Sequence, residues 1–208
     1  MAALAPGPAE LTTAHDSLKA VPVPLDPTPH PPNLGPDSGF LSDLQAEAQA
    51  DSRECVVGAL ILNAAGRVFV QKRSSARQLF PGCWDLVGGH VEPGETLYQA
   101  LAREIQEETG WALSRILNIV AVFDWETTMG ARVIQKREFD FLVDVRGELD
   151  RPRLQTDKVT EHRWIGIDDI EILKENRAAL DVDIEELVRR ARARLGSRRG
   201  RLSAPILR

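Results

Sequence analysis

The amino-acid sequence predicts one α/β domain over residues 53–195 of the 208-residue chain. Short apolar runs with the length and alternation of β-strands are interleaved with two stretches in which apolar residues recur at helical spacing. No segment is repeated along the chain. Strands mixed with helices, without repeats, indicate the α/β class.

The composition is typical of a soluble globular protein, with 43% hydrophobic and 27% charged residues. No apolar run approaches the roughly 18 residues of a membrane span, and residues 1–9 lack the basic and apolar regions of a secretory signal. Cys55 and Cys83 cannot form a disulfide framework or a zinc site by spacing. We therefore expect a cytoplasmic protein without a membrane partner, and the net charge of −5 argues against a nucleic-acid partner.

The first 37 residues are rich in proline, with nine of the thirteen prolines between Pro6 and Pro36. Such a segment has few apolar residues to bury and lacks many amide donors. We expect residues 1–37 to form an extended, disordered tail. Residues 38–52 are rich in helix-forming residues and predict a short helix or linker, with the helical pattern over 40–50.

Five segments of the domain have the character of strands. The first is fully apolar, as in a buried strand, and the second alternates between apolar and polar residues after a turn at 63–66. The five predicted strands are residues 55–62, 67–73, 113–125, 133–145 and 161–166.

The end of the domain predicts a helix that starts near Asp183, because apolar residues recur there at helical spacing. Acidic residues crowd its start and arginines its end, an order that suits the helix dipole. We expect residues 196–208 to follow this helix as a basic tail.

The centre of the chain carries the chemistry. Residues 96–109 predict a helix with one apolar stripe, beside which Glu104, Glu107 and Glu108 project within an arc of about 100°. Three like charges at this spacing repel one another and weaken a helix. A bound divalent cation such as Mg²⁺ would offset this repulsion, because Mg²⁺ binds carboxylate oxygens and keeps coordination sites for water and phosphate. An exposed acidic helix face is the alternative.

A glycine-rich loop precedes this helix. Gly88-Gly89 and Pro93-Gly94 indicate a turn that leads directly into the helix. Glycine lets the backbone approach a ligand closely, so a carbonyl of this loop could complete an oxygen shell. Loop and acidic helix together indicate a site that holds a metal against a diphosphate.

The combination of Gly89, Glu95 and the run 103–111 resembles the Nudix box at every specified position. Trp111 fills the last apolar place, where an aliphatic residue is more usual. Flanking segments at 80–86 and 161–165 are also similar to Nudix sequences. The resemblance covers residues 53–170 and implies a Nudix-type α/β/α sandwich with a mixed β-sheet.

The resemblance also implies a MutT-like hydrolase that cleaves a nucleoside diphosphate linked to another group X. It assigns Glu104, Glu107, Glu108 and the Gly89 carbonyl to Mg²⁺ or Mn²⁺. Arg103 would orient the glutamates, and Glu104 is one candidate for the general base. The remaining assignments are Glu161 as a second candidate base outside the box, Gly88 in the loop, Glu95 as a brace of the loop–helix joint and Gly110 as the helix C-cap.

Recognition of X would come from residues outside the box. We expect Trp84, Phe123 and Trp125 as candidate substrate contacts, although aromatic rings equally fill cores. The small-molecule substrate is expected to be a nucleoside triphosphate or a modified nucleotide, with ADP-ribose or another sugar nucleotide as the alternative. Because homodimers are common in the family, the resemblance includes a homodimer among the expected assemblies.

Two other classes share this fold. Isopentenyl diphosphate isomerases need a cysteine just before the position of His90, where this chain has Val87, Gly88 and Gly89. Non-catalytic nucleotide-binding regulators commonly carry a broken box and a DNA-binding domain. The intact box favours an enzyme over both.

Overall fold

The computed structural model describes residues 21–22, 34–35, 37–129, 131–177 and 183–202. The strands are β1 (Val21–Pro22), β2 (Glu54–Ile61), β3 (Val68–Arg73), β4 (Trp84–Asp85), β5 (Val87–His90), β6 (Ala112–Met129), β7 (Arg132–Arg146) and β8 (Val159–Ile165). The helices are α1 (Gly39–Ala50), α2 (Leu97–Thr109) and α3 (Ile184–Leu202), with a 3-10 helix at Ile167–Lys174.

The strands form two sheets. The larger has the order β1-β6-β7-β2-β5, and the smaller has the order β4-β3-β8. Strands β2 and β7 run parallel, whereas the other neighbours in both sheets are antiparallel. The predicted mixed sheet is therefore confirmed, with its parallel pair at the centre.

Two hydrophobic cores lie on opposite faces of the larger sheet. Helices α1 and α2 pack on one face, where Leu101 and Ile105 are fully buried against Phe139. The 3-10 helix and α3 pack on the other face, where Val188 is fully buried. Because side chains alternate between faces along a strand, each long strand contributes to both cores. This layering confirms the predicted sandwich.

The five predicted strands and the predicted helices are all present, with small differences at their ends. The helix predicted over 40–50 begins at Gly39, and the acidic helix begins at Leu97. Strands β6 and β7 are longer than predicted, because the two pair with each other as far as Met129 and Arg132. Pairing between neighbouring strands extended them beyond the apolar pattern.

The proline-rich segment departs from the expectation of a disordered tail at two points. Val21–Pro22 pairs with Phe123 and Asp124 at the edge of the larger sheet, a position that tolerates proline. Leu34 is 3% exposed and forms a bridge to Ile116. Burial of one apolar side chain and pairing with an edge strand therefore bring parts of this segment onto the domain. The rest of the predicted tail, residues 1–20, 23–33 and 36, lies outside the described residues.

Helix α3 continues to Leu202, beyond the predicted end at 195. Arginine is a good helix former, so the helix does not need the apolar stripe to continue. Residues 203–208 of the predicted basic tail lie outside the described part of the chain. Among the described residues, no helix combines the length and the apolar character needed to cross a membrane.

Candidate active site

Helix α2 carries the acidic residues and is fixed at both ends. The Thr96 hydroxyl accepts a hydrogen bond from the Gln99 backbone N–H at 3.2 Å, and the Gln99 side chain accepts one from Thr96 N–H at 2.9 Å. This capping box satisfies amides that the first turn of a helix leaves unpaired. At the other end Gly110 has φ +75°, the left-handed conformation that glycine adopts without steric cost. Gly110 is therefore the C-cap, as predicted.

Gly88 and Gly89, expected in a turn, lie instead in β5, where pairing with β2 holds them in a strand and brings their backbone against the helix. The Gly88 backbone N–H donates to Glu108 Oε2 at 3.1 Å. A Cβ atom at Gly89 would lie 2.6 Å from the carboxyl carbon of Glu104, closer than real contacts allow. Glycine is thus required at position 89 for Glu104 to occupy its place.

Arg103 joins the loop to the helix. Its guanidinium donates to Glu95 at 2.8 and 3.0 Å, to Glu104 Oε1 at 2.7 Å and to the His90 carbonyl at 2.9 Å. Glu95 also accepts the Glu92 backbone N–H at 2.9 Å, so it spans the loop–helix joint. These charge-assisted bonds lower the pKa of Glu95 and hold Glu104 in one orientation.

Burial disfavours the ionised forms of the Glu104 and Glu108 carboxyl groups. Burial raises the pKa of Glu104, and the Arg103 guanidinium partly opposes that rise. Burial raises the pKa of Glu108 to about 7, against hydrogen bonds from Gly88 and Gln71. A bound cation would favour the ionised forms, because an opposite charge lowers the pKa of a carboxyl group.

The third predicted ligand is more exposed than the other two. The Glu107 side chain is 45% exposed and lies 3.6 Å from Arg103. Across the described residues, no three Asp, Glu, His or Cys side chains form a ready metal cage. The predicted convergence of three carboxylates is therefore only partly realised. Glu104, Glu108 and the glycine backbone still fit Mg²⁺, which is usually held by one or two carboxylates together with water and substrate phosphates.

A cleft opens beside the glycine loop, between the larger sheet and α3. The Gly88–Gly89 backbone forms one part of its lining, and Phe80 and Trp125 form another. Leu187 of α3 closes the cleft with apolar surface. The Gly88–Gly89 backbone, which contacts Glu104 and Glu108, therefore also borders an aromatic cleft.

Glu138 of β7 lines this cleft, and Asp140 follows two residues later on the same strand without lining it. Burial, together with the charge of Asp85, raises the pKa of half-buried Glu138 to about 8. Asp140 is fully buried, both of its carboxyl oxygens lack a hydrogen-bond partner among the described residues, and burial raises its pKa strongly. Asp140 occupies the space beside Gly58, where a larger residue would collide with it. The lining of the cleft thus includes the carboxyl groups of Asp85 and Glu138.

The NUDIX domain family model matches residues 53–189, which is most of the chain. The chain belongs to the Nudix family. A nucleoside triphosphatase NudI of Enterobacter sp. (strain 638) is 46% identical over 65 residues, which are 31% of this chain and 43% of that protein. The chain spans between 28% and 43% of the length of the first curated relatives that it matches.

Two solved Nudix-type structures share the fold. The MutT protein of Methanosarcina mazei Go1 is 25% identical, with a TM-score of 0.53 over 69% of this chain and 95% of that chain. The MutT NUDIX hydrolase of Burkholderia pseudomallei is 28% identical, with a TM-score of 0.52 over 66% and 97%. The α/β architecture predicted from the sequence is therefore shared with MutT proteins.

The structure does not bring Glu161 to the Nudix glutamates, which corrects its assignment as a base. Glu161 pairs with Lys72 across the β3–β8 register, whereas Gln71, the residue that contacts Glu108, pairs with His162. Neighbouring residues of a strand point to opposite faces, so Glu161 lies on the face away from Glu108. Its carboxylate binds Arg163 at 2.6 and 2.7 Å instead.

The three aromatic residues expected to contact the substrate differ in whether they border the cleft. Trp125 lines the cleft. Trp84 is fully buried in the core and donates its indole N–H to Glu175 at 2.9 Å. Phe123 is 5% exposed, belongs to the same core and does not line the cleft. Trp125 belongs to this core too and is also 5% exposed, so it is the one of the three that borders the cleft, through a small accessible surface.

Four polar residues of the Nudix site were missed by the sequence reasoning. The Gln45 side chain of α1 binds the Glu95 carbonyl at 2.7 Å and accepts the Leu97 N–H at 3.0 Å, so it fixes the entry into α2. Glu138 and Asp140 could have been found, because charged residues at alternate positions of an otherwise apolar strand are unusual. The remaining missed residue is Gln71, which contacts Glu108.

Proposed function

We propose that this Nudix protein hydrolyses a nucleoside diphosphate linked to X, with Mg²⁺, by attack of water on a phosphorus of the pyrophosphate. The observation that carries this proposal is the position of Glu104 and Glu108, which are desolvated beside the Gly88–Gly89 backbone at the end of an aromatic cleft. A diphosphate beside the loop would have its nucleoside directed toward Trp125.

Glu104, Glu107, Glu108 and the Gly89 carbonyl would hold the cation. When bound, Mg²⁺ neutralises the charge of the diphosphate and lowers the pKa of water. Arg103 occupies Glu104 Oε1. No described residue hydrogen-bonds Glu104 Oε2, so this atom is the one that we assign to removal of the proton from the attacking water. Arg103 also favours the ionised form of Glu104, which that step requires.

A nucleoside triphosphate or a modified nucleotide is the preferred substrate in this proposal. The relative from Enterobacter is named a nucleoside triphosphatase, and its matching segment supports this preference. Trp125 and Phe80, with ring centres 6.4 Å apart, give the cleft aromatic surface for a base. Apolar side chains of α3 complete that wall.

The test is a screen in ¹⁸O-labelled water with Mg²⁺, using nucleoside triphosphates, oxidised nucleotides, ADP-ribose and dinucleoside polyphosphates. Release of a nucleoside monophosphate or phosphate carrying one ¹⁸O supports the proposal, and the labelled product identifies the phosphorus attacked. Turnover should stop with a chelator and in the Glu108→Gln variant. Absence of Mg²⁺-dependent product from the whole panel would contradict hydrolysis, and a preference for ADP-ribose would contradict the preferred substrate.

A further inference from the structure

Gln71 is a buried polar residue of β3 that contacts a proposed metal ligand. It is 3% exposed, and its Nε2 donates to Glu108 Oε2 at 2.6 Å. The same nitrogen lies 3.5 Å from the Leu86 carbonyl. Gln71 therefore reaches across from the smaller sheet to the acidic helix.

The orientation of the Gln71 amide follows from its partners. With the amide turned over, its oxygen would face the carboxyl oxygen of Glu108 and the carbonyl of Leu86, both of which are acceptors when Glu108 is ionised. The orientation with nitrogen toward Glu108 is thus the one that suits a carboxylate.

This orientation leaves the other end of the amide unsatisfied. Oε1 of Gln71 is buried and has no hydrogen-bond partner among the described residues. An unpaired buried acceptor disfavours the folded state. A methionine or leucine would fill the same space without an unpaired acceptor, so stability alone does not explain a glutamine here. The hydrogen bond from Gln71 to Glu108 does explain a glutamine at this position.

Both hydrogen bonds that Glu108 receives fall on the same oxygen. Gly88 N–H and Gln71 Nε2 each donate to Oε2, at 3.1 and 2.6 Å. No described residue hydrogen-bonds Oε1 of Glu108, so that oxygen is available to a cation. Two donors from different elements also prevent the carboxyl group from rotating.

We propose that Gln71 is a positioning residue of the metal site, which holds Glu108 by Oε2 so that Oε1 can bind the divalent cation; this inference rests on the metal site of the proposed function. Groups that hydrogen-bond a metal ligand usually contribute a factor of about 10–100 to metal affinity. Gln71 lies outside the Nudix box, and its role depends on the pairing of β3 with β4 and β8.

The test is binding of Mn²⁺ to the full-length protein without nucleotide, followed by electron paramagnetic resonance. We expect Gln71→Met to weaken Mn²⁺ binding by about 10–100-fold. Its unfolding midpoint without metal is the fold control and should change little, because losing the unpaired acceptor and losing the hydrogen bond to Glu108 have opposite effects on stability. Gln71→Leu is the second variant, should the first not fold. Wild-type Mn²⁺ affinity in a folded variant would overturn the inference.

A matched control makes the same chemical change elsewhere. Gln135→Met removes the hydrogen bond that exposed Gln135 donates to Glu126 at 2.7 Å, and it should leave Mn²⁺ affinity unchanged. Gln71→Met should also add no further loss to Glu108→Gln, because the residue it acts through is already altered. An additional loss in that double variant would show a different route and would overturn the inference.

The metal titration separates this inference from the proposed function. A wild-type protein that binds Mn²⁺ in a Gln71-dependent way but hydrolyses no nucleotide would contradict the function and support the positioning role. If the protein hydrolyses nucleotides and Gln71→Met keeps the wild-type metal affinity, the proposed function is supported and the positioning role of Gln71 is contradicted.

Discussion

Replacing Glu138 by glutamine should change how stability depends on pH. The raised pKa means that the folded protein holds a proton on Glu138 over a range in which the unfolded chain has released it. The free energy of unfolding of the wild-type protein should therefore fall as pH rises between about 4.5 and 8. Glutamine is neutral throughout, so the Glu138→Gln variant should lose this part of the slope.

The size of the effect follows from the two pKa values. At about 1.36 kcal/mol per pH unit, a rise from the ordinary value of 4.5 to about 8 corresponds to at most roughly 5 kcal/mol. Glu138 faces the cleft and is only half-buried, so screening by water should reduce this to about 2–3 kcal/mol. Asp140 adds to the same trend, because the charge of Glu138 contributes to its raised pKa.

The assay is urea unfolding at 25 °C between pH 5 and 8.5, with the free energies of both proteins compared at each pH. The variant should gain stability relative to wild type as pH rises, whatever constant offset its packing introduces. Glu126→Gln, at an exposed position of β6, is the control and should run parallel to wild type. Parallel curves for Glu138→Gln would refute the reasoning.

Three other substitutions test the site. Glu107→Gln should lower turnover at saturating Mg²⁺ by at least about 100-fold, because losing a metal ligand costs at least as much activity as losing a residue that hydrogen-bonds a ligand. An unchanged unfolding midpoint is the control for folding. Near-normal turnover would show that Glu107 does not belong to the metal site. Glu161→Gln should keep wild-type turnover, since the carboxylate lies on the opposite face; a 100-fold loss would restore it as a base. Gly110→Ala should destabilise by about 1–2 kcal/mol, because its φ is +75° and the new Cβ would meet Arg153; an unchanged thermal midpoint would contradict the C-cap.

The sequence was sufficient for the parts of the fold and the site that depend on local patterns. Helix α2 could be predicted because its apolar stripe, its Thr96 cap and its final Gly110 all lie within fifteen residues. The contact between Gly89 and Glu104 could be expected from the glycine pair that precedes the helix. These signals do not require knowledge of which strands pair.

The missed parts depend on pairing between distant segments. Whether Glu161 or His162 faces α2 is decided by the register of β8 on β3, and a shift of one residue would exchange them. Gln71 and Glu108 are 37 residues apart, and their contact exists only once the smaller sheet is in place. Val21–Pro22 was missed because its pairing depends on the exposed edge of β6.

The parallel pairing of β2 with β7 has a consequence for how the protein acquires activity. Strand β5, which carries the two glycines, pairs with one edge of β2. The other edge of β2 pairs with β7, whose residues come about 80 positions later in the chain; Lys136, for example, lies against Glu54. During synthesis, a nascent chain that has reached Trp111 already contains the whole signature motif but not the strand that completes its support. Such high contact order slows folding, so we expect the proposed nucleotide cleavage to emerge only after the C-terminal half has left the ribosome, and a fragment ending at Trp111 to be inert.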